Sequence, residues 1–294
     1  MKFGTVAIIG RSNVGKSTLL NRLLGEKVAI VSDKPQTTRT RILGVVSVPQ
    51  GQIAFLDTPG LHKPRHLLNR RMVRTAIETA EEADLLYVLM EATSLPGPGD
   101  LAVVAAVKEA IEKRRRPALL VVTKIDLVNK LKLLPVLERY AGLYDWTEVV
   151  PVSGQTGDNV DRLLAVTIPH LPEGEGMYGD DMVTDQTMRT LAAEMIREKI
   201  LQATEEEVPY AVAVEIDRFE EEGRLARVHA SIFVERESQK GIVIGRHGER
   251  LKAICTEARR DMERLFGVKV FLETWVKVKE AWREDERTLV ELGY

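Results

Sequence analysis

Cysteine is nearly absent from this 294-residue chain: Cys255 stands alone, so no disulfide can form within it. That predicts a reducing, cytoplasmic setting. Cys255 follows Leu251 and Ile254 in a helix-like run and is read as a small buried hydrophobe rather than a reactive thiol. Long apolar runs are missing as well. No stretch approaches the roughly 20 residues that span a bilayer. The N-terminus enters a strand-like segment at 5–9 almost at once, which argues against a cleavable leader. An excess of positive charge is also lacking: the net charge is −2, and the acidic excess lies in the second part of the chain. That argues against a generally basic nucleic-acid binder, and any such affinity must rest on local arrangement. No internal repeat or low-complexity tract appears.

What is present is an ordinary globular composition, 44% hydrophobic and 29% charged, with length for about two domains. The first half alternates short β-type runs at 5–9, 43–48, 53–57, 85–90, 118–123 and 148–151 with helical patterns at 16–24, 68–80, 101–114, 131–140 and 161–168. Several runs are apolar throughout, as in a parallel sheet covered on both faces. A Pro-, Gly- and acid-rich stretch then suggests boundaries at 1–172, a linker at 173–183, and a second domain at 184–294. In the second domain the pattern predicts a helix at 187–202, strands at 210–216 and 226–234 joined by an acidic turn at 220–223, and a short apolar segment ending at 245. A helix to about 265, a strand at 268–277 and a last helix at 283–292 follow.

The sharpest motif is Gly10, Arg11, Ser12, Asn13, Val14, Gly15, Lys16 and Ser17. It matches G-x-x-x-x-G-K-[ST] between a strand and a helix, where loop amides and the helix N-terminus face an anion. Lys16 is expected on the β- and γ-phosphates, and the Ser17 hydroxyl on Mg²⁺. A second piece, Asp57, Thr58, Pro59 and Gly60, ends the 53–57 strand. There Asp57 can hold Mg²⁺ and the Gly60 amide can meet a γ-phosphate. Between them lies the polar stretch Gln36-Thr-Thr-Arg39, which suits a mobile loop; Thr38 is preferred over Thr37 as a further Mg²⁺ ligand.

Thr123, Lys124, Ile125 and Asp126 resemble the Asn-Lys-x-Asp motif with which GTPases read guanine. The Asp126 carboxylate can accept from two guanine donors that adenine lacks, and such a site discriminates strongly. Lys124 can lie over the base. Thr123 departs from the usual Asn, which weakens its expected contacts. Ser153 and Gly154 follow another strand and fit the segment whose amide meets guanine O6.

With these motifs in place the chain resembles the Era family of bacterial GTPases along essentially its whole length. The Gln239–Lys252 stretch and the Leu272-Glu-Thr-Trp-Val-Lys277 segment are similar too. The resemblance implies an α/β P-loop GTPase domain followed by an α+β type II KH domain. It also implies binding to the 3′ end of small-subunit ribosomal RNA during maturation of the small ribosomal subunit. The residues themselves support an RNA clamp at Gly245, Arg246, His247 and Gly248, a G-x-x-G loop of the kind KH domains close on RNA backbone. Lys240 and Arg250 flank it, and Ile242 and Ile244 suit an apolar floor for bases. The helix–strand–strand–helix–helix–strand order around the loop matches the type II arrangement.

For catalysis, Lys16, Asn13, Thr38 and Gly60 are the expected contributors, by positioning and charge. Many GTPases carry a water-orienting Gln just after the switch glycine; here Leu61 stands there. That predicts slow intrinsic hydrolysis, raised by a partner. Among related GTPases an Asn at position 13 accompanies a K⁺ ion, so K⁺ is a candidate second cation. The basic segment 62–66, continued by Arg70, Arg71 and Arg74, is open to two readings, an rRNA contact or a solvated face. The chain is expected to be a monomer. The alternatives are an RNA-binding assembly chaperone with GTP as structural ligand, and a GTPase in peripheral membrane association that recruits protein partners there or at the division machinery. The absence of a basic amphipathic helix weighs against the last.

Overall fold

A computed structural model describes every residue except Asp180. The chain forms two compact units that cut across the expected boundaries. The first comprises Met1–Ala29, Thr38–Pro64 and Arg70–Asp185; the second comprises Ile30–Thr37, Arg65–Asn69 and Gln186–Tyr294.

In chain order the first part runs β1 (Lys2–Gly10), α1 (Lys16–Leu24), β2 (Ile42–Val48), β3 (Gly51–Asp57), α2 (Leu67–Glu82), β4 (Leu85–Glu91), α3 (Pro98–Arg114), β5 (Ala118–Thr123), α4 (Lys130–Ala141), β6 (Glu148–Pro151) and α5 (Val160–Thr167). The strands form one 6-stranded sheet in the order β2-β3-β1-β4-β5-β6. β3 and β5 are buried at every position and β4 at all but its last, as their unbroken apolar runs require. The expected wholly parallel sheet needs one correction: β2 pairs antiparallel with β3. Only Pro49 and Gln50 join them, a link that closes a hairpin but is far too short for a crossover. α3 starts earlier than expected because Pro98 opens it, and Asp100 Oδ2 accepts from the Gly97 amide at 2.9 Å.

The described residues of the stretch 173–183, expected as a linker, are tied to this first unit; Asp180 within it lies outside the described residues. Gly174 N donates to Met1 O at 3.0 Å and Val45 N on β2 donates to Val183 O at 2.8 Å. The Gln52 side chain both donates to and accepts from the Tyr178 backbone, at 2.9 and 3.0 Å. The Val45–Val183 bond and the Thr184 hydroxyl, 2.7 Å from Leu43 O, thus meet the edge strand β2.

The second unit contains α6 (Met188–Ala203), α7 (Val208–Ala211), β7 (Ala213–Glu222), β8 (Leu225–Val234), α8 (Glu237–Ile244), α9 (Glu249–Phe266), β9 (Lys269–Val278) and α10 (Glu286–Glu291). Its sheet has order β7-β8-β9, antiparallel then parallel. Taken as α6-β7-β8-α8-α9-β9, this is the α+β type II KH topology. Three expectations change. Pro209 opens a helical turn, so the strand expected from 210 begins at Ala213. That strand runs on through the acidic residues to Glu222, and the turn falls at Gly223. The apolar segment before Gly245 is the helix α8. The inner sheet face, with Val228, Ala230 and Ile232, packs with Ile196, Ile200 and Met262 in one core. Cys255 Sγ lies 3.2 Å from Thr274 Oγ1, and burial pushes its thiol above the usual range, in keeping with a packing role. Among the described residues no helix is long and apolar enough to cross a membrane.

Candidate nucleotide site and G-x-x-G loop

β1 ends at Gly10 and α1 begins at Lys16, so the intervening loop turns directly into a helix N-terminus. Asn13 and Gly15 carry positive φ, 63° and 100°, which bends the backbone around the space in front of the helix. Lys16 is buried, and its Nζ donates to Arg11 O at 2.8 Å. Burial pulls the ammonium down to about 8, against the opposing charge of Asp57. Burial likewise pushes the Asp57 carboxyl up to about 6, opposed by Lys16 and then by the Ser17 hydroxyl.

Three oxygen-bearing side chains converge beside this loop. Ser17 Oγ donates to Asp57 Oδ2 at 2.7 Å and lies 2.8 Å from Thr38 Oγ1. The other carboxylate oxygen, Asp57 Oδ1, is buried and has no hydrogen-bond partner among the described residues. An orphaned buried carboxylate oxygen next to two hydroxyls is a hard-oxygen donor set suited to Mg²⁺. The structure brings Thr38 to this cluster and not Thr37, whose hydroxyl donates to Lys34 O at 2.6 Å.

The segment after Asp57 lies against the loop. Leu61 N donates to Gly10 O at 3.0 Å, and Thr58 Oγ1 donates to Ile8 O at 2.8 Å. A Cβ on Gly60 would stand 2.6 Å from Ser12 N, so only glycine permits this approach. Pro59 precedes it. The Leu61 side chain packs against the core beneath the sheet.

Thr123 is buried and its hydroxyl donates to Val14 O at 2.6 Å. It thus ties the end of β5 to the phosphate loop. Lys124 Nζ pairs with Glu91 Oε2 at 3.1 Å, which sets its stem along the site wall. Asp126 is exposed at the rim. Val152 N donates to Val122 O and Ser153 N to Asp158 O. In this segment Gly154 lies close against α1, where a Cβ would stand 3.1 Å from Leu19 N.

Sequence reasoning missed two supports. Arg11 Nε lies 2.8 Å from Asp100 Oδ1, whose side chain is 1% exposed. An acid opening α3 gave no hint that it reached the phosphate loop. Arg197 on α6 is buried and donates from Nη2 to Thr37 O at 2.5 Å. In the segment 62–66, His66 and the Leu67 amide both bond to Glu284, at 2.8 and 3.1 Å, so part of this basic stretch is an anchored turn. Arg70 remains exposed.

In the second unit, Gly245 has φ 73° and a Cβ there would stand 2.6 Å from that of Arg250. The tight turn between α8 and α9 therefore needs glycine twice over. Arg246 and His247 at its tip are exposed, as is Ile242; Ile244 is half-buried. Arg250 Nη1 donates to Ile242 O at 2.5 Å and braces the loop. Lys240 Nζ lies 3.9 Å from Glu237.

This phosphate loop, oxygen cluster and base-side segment on one sheet, with a G-x-x-G loop in a type II KH fold, define a P-loop GTPase carrying a KH domain. A family model described as "50S ribosome-binding GTPase" matches residues 5–124, and a KH-domain model matches 207–283. The GTPase Era of Geobacter metallireducens is 49% identical over 99% of this chain and 97% of its own. That of Syntrophus aciditrophicus is 48% identical over 100% and 95%. Two Era crystal structures, each 41% identical, superpose with TM-score 0.95 over 100% of this chain and 99% of theirs. One is a point variant from Aquifex aeolicus bound to GDP·AlF4⁻; the other is a complex with MgGDPNP and nucleotides 1506–1542 of 16S ribosomal RNA. The chain belongs to the Era family of GTPases.

Proposed function

We propose that this chain is a GTP-hydrolysing switch that binds the 3′ end of small-subunit ribosomal RNA and assists maturation of the small subunit. The observation that carries the nucleotide half is the convergence of Ser17, Thr38 and Asp57, with Asp57 Oδ1 left unpartnered. In this reading those three side chains hold Mg²⁺, which when bound supplies positive charge to the β- and γ-phosphate oxygens. Lys16 leaves its loop carbonyls for the phosphates, whose negative charge favours its ammonium form. The amides of residues 13–17 cradle the β-phosphate, and the Gly60 amide meets the γ-phosphate. Asp126 and the Gly154 amide read guanine, with Lys124 over the base plane.

For the RNA half, support comes from the Era relative solved with 16S ribosomal RNA and from the G-x-x-G turn with its exposed Arg246 and His247. Small residues let backbone approach backbone there; Lys240 and Arg250 add charge. The same reading makes the chain a cytoplasmic monomer, with any membrane association peripheral. The deciding experiment measures affinity for a short single-stranded mimic of the rRNA 3′ end, for the protein and for a Gly245→Asp/Gly248→Asp variant. Binding should be lost in the variant while GTP affinity stays. Equal affinity in both would remove the RNA reading.

A further inference from the structure

We infer that the outer face of the β7–β8–β9 sheet is a second contact surface for single-stranded RNA, on which unpaired bases stack over Phe271 and Trp275. This rests on the RNA-binding reading above but uses a different surface of the same unit. Side chains alternate along a strand, so Lys269, Phe271, Glu273, Trp275 and Lys277 share one face of β9. The other face, with Val270, Leu272 and Val276, enters the core. Phe271 and Trp275 are 45% and 44% exposed, a large outlay of aromatic surface on a sheet whose inner face is already packed.

The rings form an ordered platform. His229 on β8 stacks on Trp275 with centroids 6.0 Å apart and planes 13° apart, and lies 6.2 Å from Phe271. The Arg227 guanidinium sits 5.7 Å above Phe271. Lys277 and Lys279 stand 5.9 and 5.8 Å over Phe233. Trp275 is four residue steps along the strand from Phe271, about 13 Å, which suits the two or three bases that sheet-face aromatics take in other RNA-binding folds.

Charge names the occupant. Lys269, Lys277 and Lys279 line the β9 side, Lys269 and Lys279 also within 3.8 and 3.0 Å of Glu263 and Glu291, whereas the β7 edge carries Glu215, Glu220 and Glu222 with Arg218 among them on the same side. A polyanion can run its phosphates along the lysine edge with its bases turned inward over the rings. Glu273, between the two rings, is engaged by His229 Nδ1 at 3.2 Å. An apolar protein surface would desolvate the Arg227 and His229 heads together with the Glu222 and Glu273 carboxylates that hold them at 3.1 and 3.2 Å.

The test compares a four-nucleotide RNA, which fills one KH groove, with a single strand of about 12 nucleotides. The variant Phe271→Thr/Trp275→Thr keeps strand propensity and leaves the nucleotide site untouched. Its affinity for the longer RNA should fall about tenfold or more, the equivalent of one lost base stack, with the four-nucleotide RNA unaffected. Should the double variant fold poorly, Lys277→Glu serves instead: it should weaken the longer RNA and lower the salt slope of binding by about one. Unchanged affinity for the longer RNA overturns the proposal, as does equal loss for both lengths. Intact RNA affinity with lost association to small subunits would assign the face to a protein, and overturns it too. Failure of the G-x-x-G reading shows separately, as a Gly245→Asp/Gly248→Asp variant that still binds the four-nucleotide RNA.

Discussion

The Arg197 guanidinium, fully buried on α6, donates to the carbonyl of Thr37, one peptide bond before the hydroxyl-bearing Thr38 that meets Ser17. Glu194 holds the same guanidinium, from Oε1 to Nε at 2.8 Å, and the neighbouring Glu198 accepts from Val31 N at 2.9 Å. Within the second unit, α6 thus fixes the backbone at Val31 and Thr37. Replacing Arg197 by Met strands the Thr37 carbonyl and the Glu194 carboxylate, at about 1–3 kcal/mol. Arg197→Met is expected to weaken Mg·GTP binding about tenfold and leave GDP affinity nearly unchanged, since Thr38 serves the γ-phosphate state. Titration with fluorescent GTP and GDP analogues checks this; equal loss for both nucleotides would make Arg197 merely structural.

Thr123 gives a contrasting expectation. Its hydroxyl bonds to Val14 O and, at 3.1 Å, to Met90 O, so it ties the phosphate loop to the sheet whatever nucleotide is bound. Thr123→Val removes the donor and leaves the Val14 carbonyl, the nearer of the two, short of a partner. Affinity for GTP and GDP should drop together, by about tenfold. A selective loss of either nucleotide in equilibrium binding would contradict that account.

Leu61 stands where other GTPases orient water, and its half-buried side chain packs against the core cluster. A Gln introduced there inherits that direction. Burying its amide costs about 1–3 kcal/mol without giving it a partner, so Leu61→Gln should lower the melting temperature and leave single-turnover hydrolysis within about twofold of the parent. A rise of tenfold or more would show that the side chain can swing to the nucleotide, and the packing argument would fall.

The helix and strand bounds that the sequence predicted best, at 16–24, 118–123 and 148–151, are those where one local signal dominates: the phosphate-loop motif, an apolar run ending in Val-Val-Thr, a Pro at the strand end. The extension of β7 was hidden because Glu220 to Glu222 read as a turn. Cross-strand pairing with Arg227, 3.1 Å from Glu222, neutralises the repulsion that made them look like one. Arg197 was hidden for a related reason. A charge on the apolar side of a helical pattern reads as solvated, and its partner, Thr37, lies 160 residues away. Motifs announce groups that touch a ligand; groups that touch those groups have no spacing rule.

Asn13 supplies the last test. It sits at φ 63° at the turn of the phosphate loop, three residues before Lys16, where a monovalent cation would lie close to the bridging phosphate oxygens. A cation there would supply part of the charge that an arginine finger gives in other GTPases, and it would act in the transition state more than in the ground state. K⁺ is therefore expected to raise single-turnover hydrolysis about tenfold over Na⁺ at equal ionic strength, with little change in GTP affinity. Asn13→Ala should abolish that difference and leave the Na⁺ rate where it was. Equal rates in the two salts for the unaltered protein would remove the cation from the mechanism and leave Lys16 and Mg²⁺ to carry the charge.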